Sequence, residues 1–352
     1  MQNIINSTNL PEDLSRLLSE IAFDKLYVLT DTNTHETCFP VISEMEAIRN
    51  AGVITIPAGD DHKNIETLTS VWKYLTENGA SRHSLMINLG GGMPTDLGGF
   101  ASASFKRGIR FINIPTSLLG AVDAAVGGKT GINFLGFKNE IGAFAPADAV
   151  IIHAGFFKSL DRSNLLSGYA ELLKHSLLDN EMEWTKAIGF DFEEVDYDYL
   201  QELLMTSVKV KERVVEEDPR EQGIRKALNL GHTIGHAFES ISMELKRPIL
   251  HGYAVAWGLI CELYLSVKLC GFPKDKMQAT MAFIRENYGN YHFGCRGYDK
   301  LYELMRHDKK NASANEINFT LLEDIGKVKI NQTATKEQIY EAIDFMRESA
   351  GY

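Results

Sequence analysis

Short β-rich runs alternate with helix-like segments through the first 155 residues, and that alternation constrains the fold more than any other feature. The runs are KLYVLT from Lys25, VITIP from Val53, SLMINL from Ser84, RFINIP from Arg110 and AVII from Ala149. Between them lie stretches with helical spacing, such as NIETLTSVWKYLTENG. Strands alternating with helices predict a mostly parallel sheet covered by helices. Ligands on such a sheet sit beyond the C-terminal ends of its strands. Asp31, the Gly90-Gly91-Gly92 run and the segment after Pro115 all fall at such ends.

From about residue 156 the pattern changes. LLSGYAELLKHSLL, YLQELLMTSVKVKERVV, HTIGHAFESISM and YAVAWGLICELYLSVKLC all carry helical periodicity. INFTLL, from Ile317, reads as a single late strand. The expected organisation is an α/β domain over residues 1–155 and a mainly α-helical domain over 156–352, with no internal repeat and no low-complexity linker.

Composition narrows the function classes. The net charge of −11 argues against nucleic acid as the main partner, although local basic clusters still allow an anionic substrate. No apolar run reaches the roughly 18 residues of a membrane span. MQNIINSTNLPEDL lacks the basic segment and apolar core of a signal peptide. Cys38, Cys261, Cys270 and Cys295 include no close-spaced pair and read as reduced thiols of a cytoplasmic protein.

Two glycine-rich segments invite a phosphate. Gly90, Gly91 and Gly92 follow an apolar strand and Pro94 suits a first helical turn, so backbone N–H groups there could meet a pyrophosphate. The usual G-x-G-x-x-G spacing is absent, and a plain tight turn fits equally well. Asp31 and Asn33 suit either a ribose contact or a strand-terminal turn. VGGKTG, at 126–131, looks like a P-loop, but Asp123 stands where that motif needs its first glycine. Nucleotide triphosphate hydrolysis is therefore rejected. Lys129 remains in a glycine-rich loop with Lys138 and Asn139 close behind, groups suited to phosphate or hydroxyls.

A second set points to a metal. LNLGHTIGHAFE places His232 and His236 one helical turn apart, His251 follows in PILHGYAVAWG, and SGYAELLKH supplies Glu171 and Lys174. Two imidazoles and a carboxylate are ligand types a catalytic zinc prefers, with one position left open. Gly231, Gly235 and Gly252 beside the histidines permit close backbone approach. Lys211, Arg225, Lys309 and Lys310 lie in segments of mixed charge, where composition alone does not separate a binding group from a solvated one.

The order of motifs resembles the 3-dehydroquinate synthases, within the sugar phosphate cyclases. The resemblance runs from about residue 25 to 325 through GGGMPTDLGGFASASFKRGIRFINIPTSLLGAVDAAVGGKTGINFLGFKNEIGAF, SGYAELLKH, EEDPREQGIRKALNLGHTIGHAFE, LHGYAVAWG and HDKKN. It implies a Rossmann-like NAD-binding domain followed by a helical metal domain. It implies Glu171, His232 and His251 as ligands of Zn2+ or Co2+. NAD positions by the same resemblance are Asp31, Asn33, Asp60, Lys63, Gly90, Gly91, Gly92, Asp96, Thr116, Ser117, Leu119, Asp123, Lys129 and Lys138. Substrate positions are Arg107, Asp123, Lys129, Asn139, Lys174, Lys211, Arg225, Asn229, His236 and a lysine of the Asp308-Lys309-Lys310 run, taken to be Lys310. Asn139 and His236 would meet the phosphate, and Arg107 would reach that of a neighbouring subunit, which implies a homodimer. Thr95, Asp60 and Tyr253 depart from the family's usual glycine, glutamate and glutamate.

The reaction so implied converts 3-deoxy-D-arabino-heptulosonate 7-phosphate to 3-dehydroquinate and phosphate, a carbon–oxygen lyase step of aromatic amino acid biosynthesis. NAD would be reduced and then regenerated, and the metal would act as a Lewis acid. The rivals are another sugar phosphate cyclase and a metal-dependent polyol dehydrogenase. Neither nucleic acid nor membrane is an expected partner.

Overall fold

In the computed structural model of the chain, residues 2–135, 137–219, 221–292, 294, 297–306 and 317–348 are described. The strands are β1 (Asn3–Asn6), β2 (Leu26–Asp31), β3 (Gly52–Ile56), β4 (Leu85–Gly90), β5 (Arg110–Pro115), β6 (Lys129–Phe134), β7 (Phe137–Phe144), β8 (Ala149–Ile152), β9 (Asn318–Asp324) and β10 (Lys327–Thr333). The α-helices are α1 (Leu10–Glu20), α2 (Thr32–Thr37), α3 (Pro40–Ser43), α4 (Ile65–Glu77), α5 (Gly92–Ser104), α6 (Arg162–Asp179), α7 (Glu181–Ile188), α8 (Tyr197–Glu217), α9 (His232–Glu244), α10 (His251–Cys270), α11 (Lys274–Tyr288), α12 (Tyr298–Arg306) and α13 (Lys336–Glu348). They form two units, residues 1–161 with 197–208, and residues 162–196 with 209–352.

The first unit is built on a parallel sheet of order β1-β8-β5-β4-β2-β3. Every residue of β2 and β4 is buried, as expected of central strands covered on both faces. The chain passes from β2 outward to β3 and then returns to β4 on the other side of β2. That reversal opens the crevice where open α/β sheets bind ligands, between the ends of β2 and β4. Asp31 and Gly90 end those two strands. The start of α8 joins this unit because Gln201 accepts from the Ala154 N–H at 2.6 Å and donates to the Ile152 carbonyl at 3.0 Å.

VGGKTG differs from the expected loop. Gly127 and Gly128, at φ 103° and 69°, make a turn, and Lys129 then opens the antiparallel hairpin β6–β7. Asn139 is likewise a strand residue. Gly131 and Gly142 face each other across the hairpin, and a Cβ on Gly142 would lie 2.2 Å from the Thr130 carbonyl oxygen. The hairpin packs on α5, where a Cβ on Gly99 would meet the Thr130 methyl at 2.5 Å.

The second unit packs α6, α9, α11 and α13 around α10, with the antiparallel pair β9–β10 alongside. INFTLL is thus one arm of a hairpin. Among the described residues, helix α10 is long and apolar enough to cross a membrane by length and average composition alone, although no uninterrupted apolar run in it reaches 18 residues. Glu262, Ser266 and Lys268 interrupt the apolar run without lowering its average enough. Most of α10 is buried in the unit's core, Glu262 included.

Candidate active site

In the first unit the turn from β4 into α5 carries Gly90, Gly91 and Gly92. Gly91 is the N-cap of α5 and so provides no side-chain cap, which leaves the first N–H groups of a 13-residue helix to other partners. The turn lies tightly on the segment after β5: a Cβ on Gly91 would stand 3.0 Å from Ser117 Oγ, and one on Gly120 would stand 3.1 Å from the Gly92 nitrogen. Thr116, Ser117 and Leu119 therefore lie at the mouth of this turn. Asp123 sits in the helical turn Gly120–Ala124 that follows. Thr95 bonds the Gly91 and Gly92 carbonyls at 3.0 and 3.1 Å, so the departure from glycine braces the turn. Asp31 caps α2, its carboxylate accepting the Thr34 N–H at 2.8 Å, while Asn33 is exposed on the same helix.

The hairpin β6–β7 gathers a second group of expected residues. Lys63, buried, pairs with Asp96 of α5 and donates to Asn139. Asp60 accepts from Asn133 at 3.2 Å and lies 3.8 Å from the Lys138 ammonium. Asn133 in turn accepts the Asn139 N–H at 3.0 Å. Asn133 was not anticipated, because its role depends on strand pairing rather than on a motif. Lys129 is exposed at the start of β6. Arg107 stands apart from these groups: it is exposed after α5, at φ 70°, in a shallow depression with Ser81, Arg82 and Lys106.

The second unit brings the expected metal ligands together. Glu171 lies mid-α6, His232 opens α9, His236 follows one turn later and His251 opens α10. Glu171 Oε1 is 3.1 Å from His232 Nε2 and 3.4 Å from His251 Nε2. Ligand atoms of His232, His236 and His251 all fall within 4.8 Å of one another. Gly252 makes this convergence possible. A Cβ there would lie 1.9 Å from the Ser167 carbonyl oxygen of α6, and Ser167 is one turn from Glu171.

Without a cation the two rings differ in protonation, and binding one would displace the proton that Glu171 and Glu239 hold on His251. The Leu230 carbonyl, 3.1 Å from His232 Nδ1, can only accept, so Nδ1 carries the proton. Burial, with the charge of Lys174, holds His232 down to about 3 against the pull of Glu171, so its Nε2 is a lone pair. That lone pair faces Glu171 Oε1, which is itself buried and meets no donor in hydrogen-bonding geometry. Two acceptors at 3.1 Å are reconciled by a positive ion between them. His251 differs: burial would lower it, but Glu171 and Glu239 outweigh burial and hold it up at about 10. Its Nδ1 lies 3.1 Å from Glu239. Burial would raise Glu171, yet the Lys174 ammonium beside it holds it well below the carboxylate range. Lys174 is itself buried and ion-paired with the second oxygen of Glu171.

The second unit also carries further expected groups. Arg225, buried, and Asn229 share the helical turn Ile224–Asn229, and Lys211 is buried on α8. Arg225 donates to the Pro219 carbonyl at 2.9 Å, and Asn229 donates to Glu221 at 3.2 Å. Asp218 organises the turn by accepting the N–H groups of Gln222, Gly223 and Arg225. Glu221, Glu239 and Asp218 were not singled out from sequence. Glu239 was within reach, since it follows His236 by three residues on one helix face. Tyr253, in place of glutamate, packs its ring against Trp257 and Tyr288, with centroids 5.7 and 5.2 Å away. Asp308, Lys309 and Lys310 lie outside the described residues.

Comparison with known proteins settles the family. The family profile described as 3-dehydroquinate synthase N-terminal matches residues 53–167, and the one described as 3-dehydroquinate synthase C-terminal matches residues 168–311. The 3-dehydroquinate synthase of Parabacteroides distasonis is 55% identical over 350 residues, covering 99% of each chain. The chain belongs to the 3-dehydroquinate synthase family. The fold is shared more widely. A 2-deoxy-scyllo-inosose synthase solved with carbaglucose-6-phosphate, NAD+ and Co2+ superposes with a TM-score of 0.85 at 22% identity, covering 99% of this chain and 96% of the other. The 2-epi-5-epi-valiolone synthase of Streptomyces hygroscopicus, solved with NAD+ and Zn2+, gives 0.87 at 22% identity, covering 99% and 97%.

Proposed function

We propose that the chain converts 3-deoxy-D-arabino-heptulosonate 7-phosphate to 3-dehydroquinate and inorganic phosphate, as a carbon–oxygen lyase acting with NAD and a divalent cation. The full-length 55% identity to a 3-dehydroquinate synthase carries this reading. The bound groups supply Lewis acidity and a reversible hydride acceptor. The chain's own residues hold and orient everything else. Glu171, His232 and His251 are the cation's ligands, a fit supported by the facing lone pairs of Glu171 and His232. The glycine turn before α5 receives the NAD pyrophosphate, with Asp31, Asn33, Asp60, Lys63, Asp96, Thr116, Ser117, Leu119 and Lys138 arranged for the rest of the dinucleotide.

Asp123 and Lys129 serve both ligands. Lys174, Lys211, Arg225, Asn229 and a lysine of the Lys309-Lys310 pair bind the substrate's hydroxyls and carboxylate, and His236 and Asn139 bind its phosphate. Arg107 serves the substrate of a second subunit, so the active form is a homodimer. The first domain is the NAD-binding one, the second the metal- and substrate-binding one, and the protein works in the cytoplasm. The described cysteines Cys38, Cys261 and Cys270 are free thiols, in keeping with a reducing compartment.

The test is to incubate the zinc-loaded protein with the heptulosonate phosphate and NAD, and to follow phosphate and dehydroquinate together. Equal release of both is expected. Turnover of a different sugar phosphate, with the heptulosonate untouched, would place the chain with a sister cyclase.

A further inference from the structure

The helices that carry the imidazoles are fastened to each other by two carboxylates, one from each helix. Helix α9 starts at His232 behind an N-cap, Gly231, at φ 79°, which provides no side-chain cap. A Cβ at Gly231 would lie 2.8 Å from Leu259, so a serine or aspartate does not fit there. The cap comes from α10 instead. Glu262, fully buried, accepts the Gly231 N–H at 2.6 Å on one oxygen and the Ile234 N–H at 3.1 Å on the other. Helix α9 reciprocates: its Glu239 lies 3.1 Å from Nδ1 of His251, the first residue of α10. The reach is short because the helices nearly touch, and a Cβ on Gly258 would fall 2.1 Å from the Gly231 carbonyl oxygen.

Burying a carboxylate is costly unless it is well bonded, and here both oxygens are taken by N–H groups of α9 that would otherwise lack a cap. What the two carboxylates provide is direction. With Glu262 fixing the turn at Gly231, the Leu230 carbonyl meets Nδ1 of His232, and with Glu239 on Nδ1 of His251, both rings turn Nε2 toward Glu171. A carboxylate behind a ligating imidazole fixes its tautomer and raises its basicity.

We infer that Glu239 and Glu262 are positioning residues, a reciprocal carboxylate brace that presets His251 and His232 for a divalent cation. Glu239 meets the far side of the His251 ring from the ligating nitrogen, so it acts through that ring rather than on the cation. The inference rests on the proposed cation site, and its test separates the two.

The full chain and its Glu239→Ala, Glu239→Gln and Glu262→Gln variants are stripped of metal and titrated with zinc against a chromophoric chelator. Circular dichroism reports the fold, and nitrogen-15 NMR reports the imidazole tautomers. The wild type is expected to bind one zinc per chain. Glu239→Ala is expected to lose about 10- to 100-fold in affinity with helix content unchanged. Glu239→Gln should recover part of that loss, because its amide oxygen still accepts the Nδ1–H. Glu262→Gln keeps one acceptor of the two and should lose affinity together with thermal stability. If it does not fold, the Glu239 pair decides alone. Zinc binding by Glu239→Ala within twofold of wild type, or an unchanged His251 tautomer, overturns the brace. A wild type that takes up no zinc overturns the cation site instead.

Discussion

Lys174 forms a buried ion pair whose structural part can be tested apart from its proposed role at the substrate. The sequence places it one turn from Glu171, and the structure buries both and pairs them. Removing one partner of a buried pair leaves an uncompensated charge, so Lys174→Ala is expected to lower the stability of the metal-free protein by about 3–5 kcal/mol. Zinc should restore part of that loss, since a cation beside Glu171 replaces the missing charge. Calorimetry with chelator and then with excess zinc checks this, and a variant as stable as wild type in chelator would show that the pair does not hold in solution. Asp218 offers a contrasting case at the surface. Its carboxyl is held below the usual 3.8 by the N–H groups of Gln222, Gly223 and Arg225. The folded value lies below the unfolded one, so its contribution is present above 3.8 and fades as the pH falls further. Asp218→Ala should therefore loosen the turn bearing Arg225 and Asn229 at neutral pH. With Arg225 and Asn229 binding the substrate as proposed, their misplacement is expected to lower kcat/KM roughly 10- to 100-fold, with the melting temperature little changed. Unaltered kinetics would mean that the turn holds its shape without this carboxylate.

At the scale of elements, the decisive contact is helix against helix. Gly252 lets α10 begin against α6, and its missing Cβ would overlap the Ser167 carbonyl at 1.9 Å. Gly252→Ala is expected to cost about 3 kcal/mol, the upper range for over-packing, and to abolish zinc binding by moving His251 away from Glu171. Zinc titration beside thermal melting checks it, and retained stoichiometric zinc would show that α10 can shift without losing the ligand. The glycines beside the histidines made that approach legible in the sequence, as the continuous apolar run made β4 legible. The hairpin β6–β7 was not legible. All of the described β7 residues are exposed or partly exposed, and KNEIGA shows no alternation of a half-buried strand, so Lys129 and Asn139 read as loop residues. Glu262 was also hidden, because it caps a helix 31 residues away and leaves no local spacing to find. Periodicity reports which face is buried; it does not report what that face meets.

For the whole molecule, the chemistry is divided along the chain. The glycine turn and its neighbours belong to the first unit, and the histidine–glutamate centre belongs to the second. A dehydrogenase needs both features to release a reduced cofactor with each turnover. A cyclase that eliminates phosphate needs them only to oxidise the sugar transiently, so the cofactor ends as it began. Of the groups proposed to bind the substrate, Lys174, Lys211 and Arg225 are buried rather than solvated. Lys174 already pairs with Glu171 and Arg225 with the Pro219 carbonyl, so burial alone leaves both courses open and the cofactor balance decides between them. With the heptulosonate phosphate in large excess over NAD, product is expected to exceed NAD by at least about tenfold while absorbance at the NADH band stays flat. Prior removal of NAD should abolish turnover, and adding it back in catalytic amount should restore the full rate. Product that stops at one equivalent of NAD, with a matching rise in NADH, would place the chain among the metal-dependent dehydrogenases despite its family.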